Sequence, residues 1–289
     1  MNNIKDSVVS KYWDGGWKKR NTEIEDLINS SLDDLKKKAQ ERLVHHMKQK
    51  GTGSMFSNEI NFEKFNNKKL LNIGCGTGVE ANLFLCNSSV DITAIDIADE
   101  AIKNTKKIMN THKRGEAIRA TAEQMPFEDN SFDIVYSSGV IHHAESIENC
   151  VNEIYRVLRP GGVAYIGLYS ATGINFIYLR IKAKIMSLMS RNSYSHTFSN
   201  LTDTDWNVGS AKNPISRVFT KRELLDLFKG FKISSIRRGN FSSELFRTTL
   251  LSKNTYFIGI IPFKIIQIFE NFKFLSFFGS GIYSVIYKV

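Results

Sequence analysis

The chain has 289 residues, 42% of them apolar and 24% charged, with a net charge of +10. This composition excludes large-scale disorder and leaves room for one large α/β domain or two small ones. The three cysteines, Cys75, Cys86 and Cys150, match neither a disulfide framework nor a zinc site, so no metal and a reducing, cytoplasmic compartment are expected.

The charge is unevenly placed. Residues 1–60 carry +2, residues 61–170 carry −3 and residues 171–289 carry +11. A basic C-terminal part can attract an anionic substrate, a membrane surface or nucleic acid, or serve only as a soluble face. Met1 to Ser10 holds no apolar run of the signal-peptide kind. The most apolar stretch, 250–278, is broken by Lys253, Pro262, Lys264, Glu270 and Lys273, so no spanning helix is expected.

In chain order, residues 22–50 read as a helix opened by a capping box of Thr22 and Glu25 and closed by Gly51-Thr52-Gly53-Ser54. From residue 69 short apolar runs alternate with helical stretches. Strands are expected at 69–73, 90–95, 117–120, 132–136 and 163–168, and helices at 79–86, 99–109 and 147–158, the last stopped by Pro160-Gly161-Gly162. This alternation implies βαβ units and a mainly parallel, doubly wound sheet. After Tyr169 come an amphipathic basic helix over 174–189 and a polar, loop-like stretch over 190–218. A second capping box at Thr220 and Glu223 opens a helix, and strands follow at 231–236 and 281–288.

Gly74-Cys75-Gly76-Thr77-Gly78 lies between a strand and a helix. Glycine there lets backbone approach a ligand that a Cβ would displace, and the next helix offers free N–H groups. Asp96 ends the following strand, where a carboxylate can accept hydrogen bonds from ribose hydroxyls. This pair leaves the cofactor open, because Gly76-Thr77-Gly78-Val79-Glu80-Ala81 also fits a dinucleotide-binding pattern.

The loop together with four later segments resembles the class I S-adenosylmethionine (SAM)-dependent methyltransferases, in particular the small-molecule and quinone-type subgroup. These segments are Ala94-Ile95-Asp96-Ile97, Thr121 to Phe127, Phe132 to Ser138 with Ile141-His142-His143, and Glu153 to Gly162. The resemblance covers residues 68–170 and implies a Rossmann-like fold with a seven-stranded sheet and SAM as cofactor. It places Gly74, Cys75, Gly76 and Gly78 around the methionine part of SAM, and Asp96 on the ribose. Ile97, Thr121, Ala122 and Glu123 fall at the adenine, and Ser137 and Ser138 near the methionine amino group. Asn72 and Thr121 stand where relatives commonly carry acids.

Methyl transfer from a sulfonium is an in-line displacement, so the protein's main task is alignment and exclusion of water. If the acceptor must lose a proton, His142 and His143, after the fourth strand, are the base candidates; packing or pocket shaping is the alternative. Trp13 and Trp17 are candidates for an N-terminal helical lid of the kind the resemblance implies. Tyr169, Arg180 and Arg217 are further substrate candidates. The expected organisation is a lid over 1–60, a SAM-binding core over 61–170, a helical and loop insertion capping the substrate over 171–218, and completion of the sheet over 219–289. The leading expectation is methylation of a small lipophilic or anionic molecule. Nucleic-acid methylation, SAM binding without transfer and nicotinamide oxidoreduction are the competing readings. Helix 174–189 either lies on a membrane or covers the active site, and the aromatic-rich stretch 241–278 suggests an enlarged apolar wall.

Overall fold

The computed structural model describes residues 7–48, 54–190, 192–204, 207–239 and 279–289. Seven strands form one sheet in the order β3-β2-β1-β4-β5-β7-β6. They are β1 (Lys69–Ile73), β2 (Asp91–Asp96), β3 (Glu116–Arg119), β4 (Phe132–Ser138), β5 (Leu158–Tyr169), β6 (Lys232–Gly239) and β7 (Gly281–Tyr287). The first five are parallel, and β7 runs antiparallel between β5 and β6. The central strand β1 is buried from Leu70 onward, which is why it reads as a continuous apolar run rather than an alternating one. Helices α3 (Val79–Asn87), α4 (Asp99–His112) and α5 (Ile147–Val157) cross between the parallel strands. Two large apolar clusters pack on the sheet. One is built around Ile73, Val135, Ile154 and Phe228, the other around Phe56, Phe65, Phe84 and Tyr136.

Three sequence expectations change. The N-terminal part holds two helices, α1 (Val8–Ile28) and α2 (Leu32–Lys48), rather than one over 22–50. The true cap is Ser7, whose side chain accepts the N–H of Ser10, so residues 22–25 lie inside α1 and cannot open a helix. The stretch 190–218 is not all loop: Ser193 caps α7 (Tyr194–Leu201) by accepting the N–H of His196. Strand β5 begins at Leu158, so Pro160-Gly161-Gly162 continues it; the shifted register opposite Phe132 and Ile134 takes up the irregularity. The capping box at Thr220 and Glu223 is formed and opens α8 (Lys221–Leu227). Helix α6 (Ile174–Met189) matches its expected span. Residues 49–53 and the aromatic-rich stretch 241–278 lie outside the described residues.

Candidate active site

The carboxyl ends of β1 to β5 open into one cleft of about 1240 Å³. The crevice outside those strand ends is where open parallel sheets bind ligands.

The glycine loop forms its floor. Gly74, Gly76 and Gly78 all adopt left-handed backbone, with φ of 71°, 52° and 80°, a region that penalises a Cβ. The N–H groups of Gly74 and Cys75 both donate to the Ile95 carbonyl, at 2.7 and 3.0 Å, which ties the loop to β2. A Cβ on Gly74 would strike the Val140 side chain, and one on Gly76 would come within 2.7 Å of the Trp17 ring. The loop therefore stays thin because α1 and the segment after β4 close on it from two sides. Gly78 faces away from the cleft, as the N-cap of α3 packed on Thr105 and Ile108.

Asp96 is buried, and each of its carboxylate oxygens holds a backbone N–H: Oδ2 that of Gly76 at 3.0 Å and Oδ1 that of Ala98 at 2.9 Å. Among the described residues no cation forms an ion pair with it. Burial pushes its carboxyl above the usual carboxylate range, more than the bonds from Ala98 and Gly76 pull it down. An acid held at this cost, with lone pairs still open toward the cleft, suits a ligand that brings hydroxyl donors. Ile97, Thr121, Ala122 and Glu123 line the cleft after β2 and β3, and the Thr121 hydroxyl is taken up by the N–H of Glu123; Ser138 lines it from the end of β4, paired with Gly167 of β5. Ser137 is fully buried in β4, below the cleft. Asn72 is buried in β1, and among the described residues its side-chain N–H2 has no hydrogen-bond partner.

The other end is aromatic. Trp13, Tyr169 and His143 line it, whereas Trp17 lines the cleft over the glycine loop. The rings pack in a tilted series, with centroids at 4.8 Å between Trp13 and His143, 4.1 Å between His143 and His142, 3.9 Å between His142 and Tyr169, and 4.6 Å between Tyr169 and Phe176 of α6. His142 and His143 sit together in a 3-10 turn after β4 but face different surroundings. His142 is fully enclosed, makes no hydrogen bond through either ring nitrogen among the described residues and does not line the cleft; burial holds it well below its ordinary pKa. His143 Nδ1 lies 2.8 Å from the Ile215 carbonyl. A carbonyl only accepts, so Nδ1 carries the proton and Nε2 keeps the lone pair. That Nε2 is 3.8 Å from Asp203 Oδ2. Burial lowers the pKa of His143, partly opposed by Asp203.

Asp203, which no sequence pattern distinguishes, is the hub of this end. The Tyr169 hydroxyl donates to Oδ1 at 2.6 Å, and the Asn213 amide donates to Oδ2 at 2.8 Å. The Tyr12 hydroxyl donates to its main-chain carbonyl at 3.0 Å, linking α1 to the insertion. Its backbone is left-handed, with φ of 51°. Arg180 and Arg217 lie outside the cleft lining. Arg217 is structural, donating to the carbonyls of Ala144 and Glu145. Arg180 donates to the Ala171 carbonyl, at 3.4 Å.

Residues 71–166 match the family model described as a methyltransferase domain. That stretch, about a third of the chain, is where the likeness to this family lies. The fold of this domain and its surroundings aligns with a chain in the solved complex of the Haloferax volcanii Trm112 methyltransferase activator, with a TM-score of 0.58 at 13% identity over 96% of this chain and 98% of that one. A candidate methyltransferase from Bacillus halodurans aligns with a TM-score of 0.50 at 19% identity, over 85% and 98%. By sequence, the domain is 34% identical over 101 residues to 24-methylenesterol C-methyltransferase 2 of Arabidopsis thaliana, covering 33% of this chain and 27% of that protein. It is 36% identical over 99 residues to sterol 24-C-methyltransferase of Pneumocystis carinii, covering 32% and 26%. The chain thus spans about a quarter of the length of these curated relatives. SAM is the expected cofactor of such a domain. The thin glycine loop and the buried acid at the end of β2 fit it.

Proposed function

We propose that the protein is an enzyme that transfers the methyl group of SAM to a small lipophilic acceptor. The observation that carries this reading is the continuity of the cleft. One cavity joins the glycine loop, Trp17 and Asp96 at one end to Trp13, Tyr169 and His143 at the other. SAM supplies an activated methyl group on a sulfonium. Asp96 would hold the ribose hydroxyls, Ile97, Thr121, Ala122 and Glu123 would border the adenine, and the glycine loop would bed the methionine part.

The remaining residues align the acceptor and exclude water, where most of the rate enhancement of such a displacement arises. Trp17 on Gly76 and Trp13 on His143 make α1 a lid over both ends. The insertion that carries Asp203 caps the acceptor side. Where the acceptor must lose a proton, His143 Nε2 takes it and Asp203 stabilises the resulting imidazolium, while His142 supports the ring series from beneath. The match to sterol methyltransferases and the aromatic wall both favour an apolar acceptor.

Titration calorimetry with S-adenosylhomocysteine and with NAD tests the cofactor half of this reading. S-adenosylhomocysteine should bind at micromolar levels and NAD should not; the reverse result overturns it. Labelled-methyl transfer to a panel of apolar alcohols, amines and alkenes tests the acceptor half.

A further inference from the structure

Helix α6 has two unlike faces. Asn175, Phe176 and Ala183 are buried, and Phe176, Ala183 and Phe198 of α7 form a small apolar cluster with Leu179 against them. The opposite face is bare. Seven of the fifteen exposed large apolar side chains among the described residues sit on this one helix, Leu188 at 80% exposure and Met189 at 84%. A concentration of this kind is a patch rather than the scatter that any soluble surface carries.

The order of residues around the helix sharpens the point. At 100° per residue, Ile177, Leu188, Ile181, Ile185, Tyr178 and Met189 fall in that order within an arc of about 120°. Lys184 borders one edge of the arc, with Arg180 beyond it, and Lys182 borders the other. Helix α6 contains no acidic residue. Cations flanking an apolar stripe can run their alkyl stems along it and keep their ammonium groups at its rim. A protein partner would need to complement both a flat apolar stripe and two basic margins. A lipid surface with anionic headgroups does so without further design: acyl chains meet the stripe and phosphates meet the lysines. No described helix is long and apolar enough to cross a membrane, and sixteen residues span only ~24 Å, so the fitting mode is in the plane of the interface.

We infer that α6 is an interfacial helix that seats the protein on an anionic lipid surface. Its buried face reaches the aromatic end of the cleft, because Phe176 packs against Tyr169, with ring centroids 4.6 Å apart. An apolar acceptor dissolved in the bilayer would thus be presented beside its site. That consequence rests on the lipophilic acceptor proposed above; the surface contact does not.

The test is flotation of the full chain with mixed phosphatidylglycerol–phosphatidylcholine vesicles and with pure phosphatidylcholine vesicles. The wild type should float with the mixed vesicles and at least about tenfold less with the neutral ones, and rising salt should weaken the binding. The I181E/I185E variant should lose flotation on both. The K182E/K184E variant should lose the preference for anionic vesicles. Melting temperature and S-adenosylhomocysteine affinity should stay at wild-type values in both variants, since these side chains face solvent. Failure of the wild type to float with the mixed vesicles overturns the inference, as does I181E/I185E floating like the wild type. A wild-type oligomer that I181E/I185E splits, with neither form floating, assigns the face to a second copy instead. Absence of S-adenosylhomocysteine binding in the wild type would count against the proposed reaction and leave the vesicle result standing.

Discussion

Asp96→Ala separates the cost of a residue to folding from its value to binding. In the free protein the carboxylate accepts two backbone N–H groups, yet its folded pKa is raised because burial outweighs them. An acid with a raised folded pKa adds stability below its unfolded pKa and loses it as pH rises through the folded one. At neutral pH its charge is therefore a net burden on the fold, and removing it should change the melting temperature little. Cofactor affinity should behave differently. A hydrogen bond to a charged group contributes about 1.5–3 kcal/mol, and 1.4 kcal/mol is tenfold in a dissociation constant. Loss of the ribose contact should thus weaken S-adenosylhomocysteine binding by about 10- to 150-fold. Calorimetry of both proteins at pH 7.5, with melting curves alongside, makes the comparison. A folded Asp96→Ala variant whose dissociation constant changes less than about twofold would refute the placement of the acid on the cofactor.

His143→Ala should lower kcat by about 10²-fold or more for an acceptor that must lose a proton, with S-adenosylhomocysteine affinity unchanged; full turnover would remove its role as base. Asp203→Asn should leave cofactor affinity intact and shift the acidic limb of the kcat–pH profile, because the imidazolium of His143 loses its carboxylate at 3.8 Å; an unmoved profile would uncouple the pair. His142 and His143 both have folded pKa values below the unfolded one, so the unfolded chain binds more protons below about pH 6.5. Stability should be level above that pH and fall below it, with a slope of up to ~1.4 kcal/mol per pH unit for each histidine. Urea midpoints that stay flat from pH 7.5 to 5 would contradict the burial of these rings. Gly76→Ala should abolish measurable cofactor binding, and adding Trp17→Ala should restore it only in part, since that change removes the clash but not the left-handed backbone.

The glycine-loop end of the cleft is legible in the sequence because its backbone constraints are local. A loop such as Gly74 to Gly78 must be glycine for backbone reasons, and Asp96 ends a strand, so both announce themselves within a few residues. The acceptor end depends on distant parts of the chain. Asp203 stands in a polar stretch beside Asp205 with nothing to separate the two. Only the fold brings it to Tyr169, 34 residues away, and to Tyr12, 191 residues away. The pairing of His142 with His143 was visible, but which ring reaches the cleft depends on the 3-10 turn that holds them. Helix α1 was misplaced for a related reason: Ser7 caps it from outside the periodic run, and Gly15-Gly16 disguises its first turns.

The hydrogen bonds of α1 tie the two ends together. Ser10 donates to the Ile97 carbonyl beside Asp96 and accepts from Arg119. Two residues on, Tyr12 donates to Asp203 and Asn207 of the insertion, and Trp17 covers Gly76. A displacement of α1 large enough to uncover the glycine loop must also break the Tyr12 contacts that help hold Asp203 in its left-handed conformation. Access to the cofactor end and order at the acceptor end are therefore set by the same helix. A Tyr12→Phe variant isolates this link, because it removes the hydroxyl contacts and keeps the ring. It should raise the amide exchange of residues 202–204 and speed S-adenosylhomocysteine release without altering the glycine loop itself. A change in the exchange of those residues with no change in the release rate would mean that the two ends move independently.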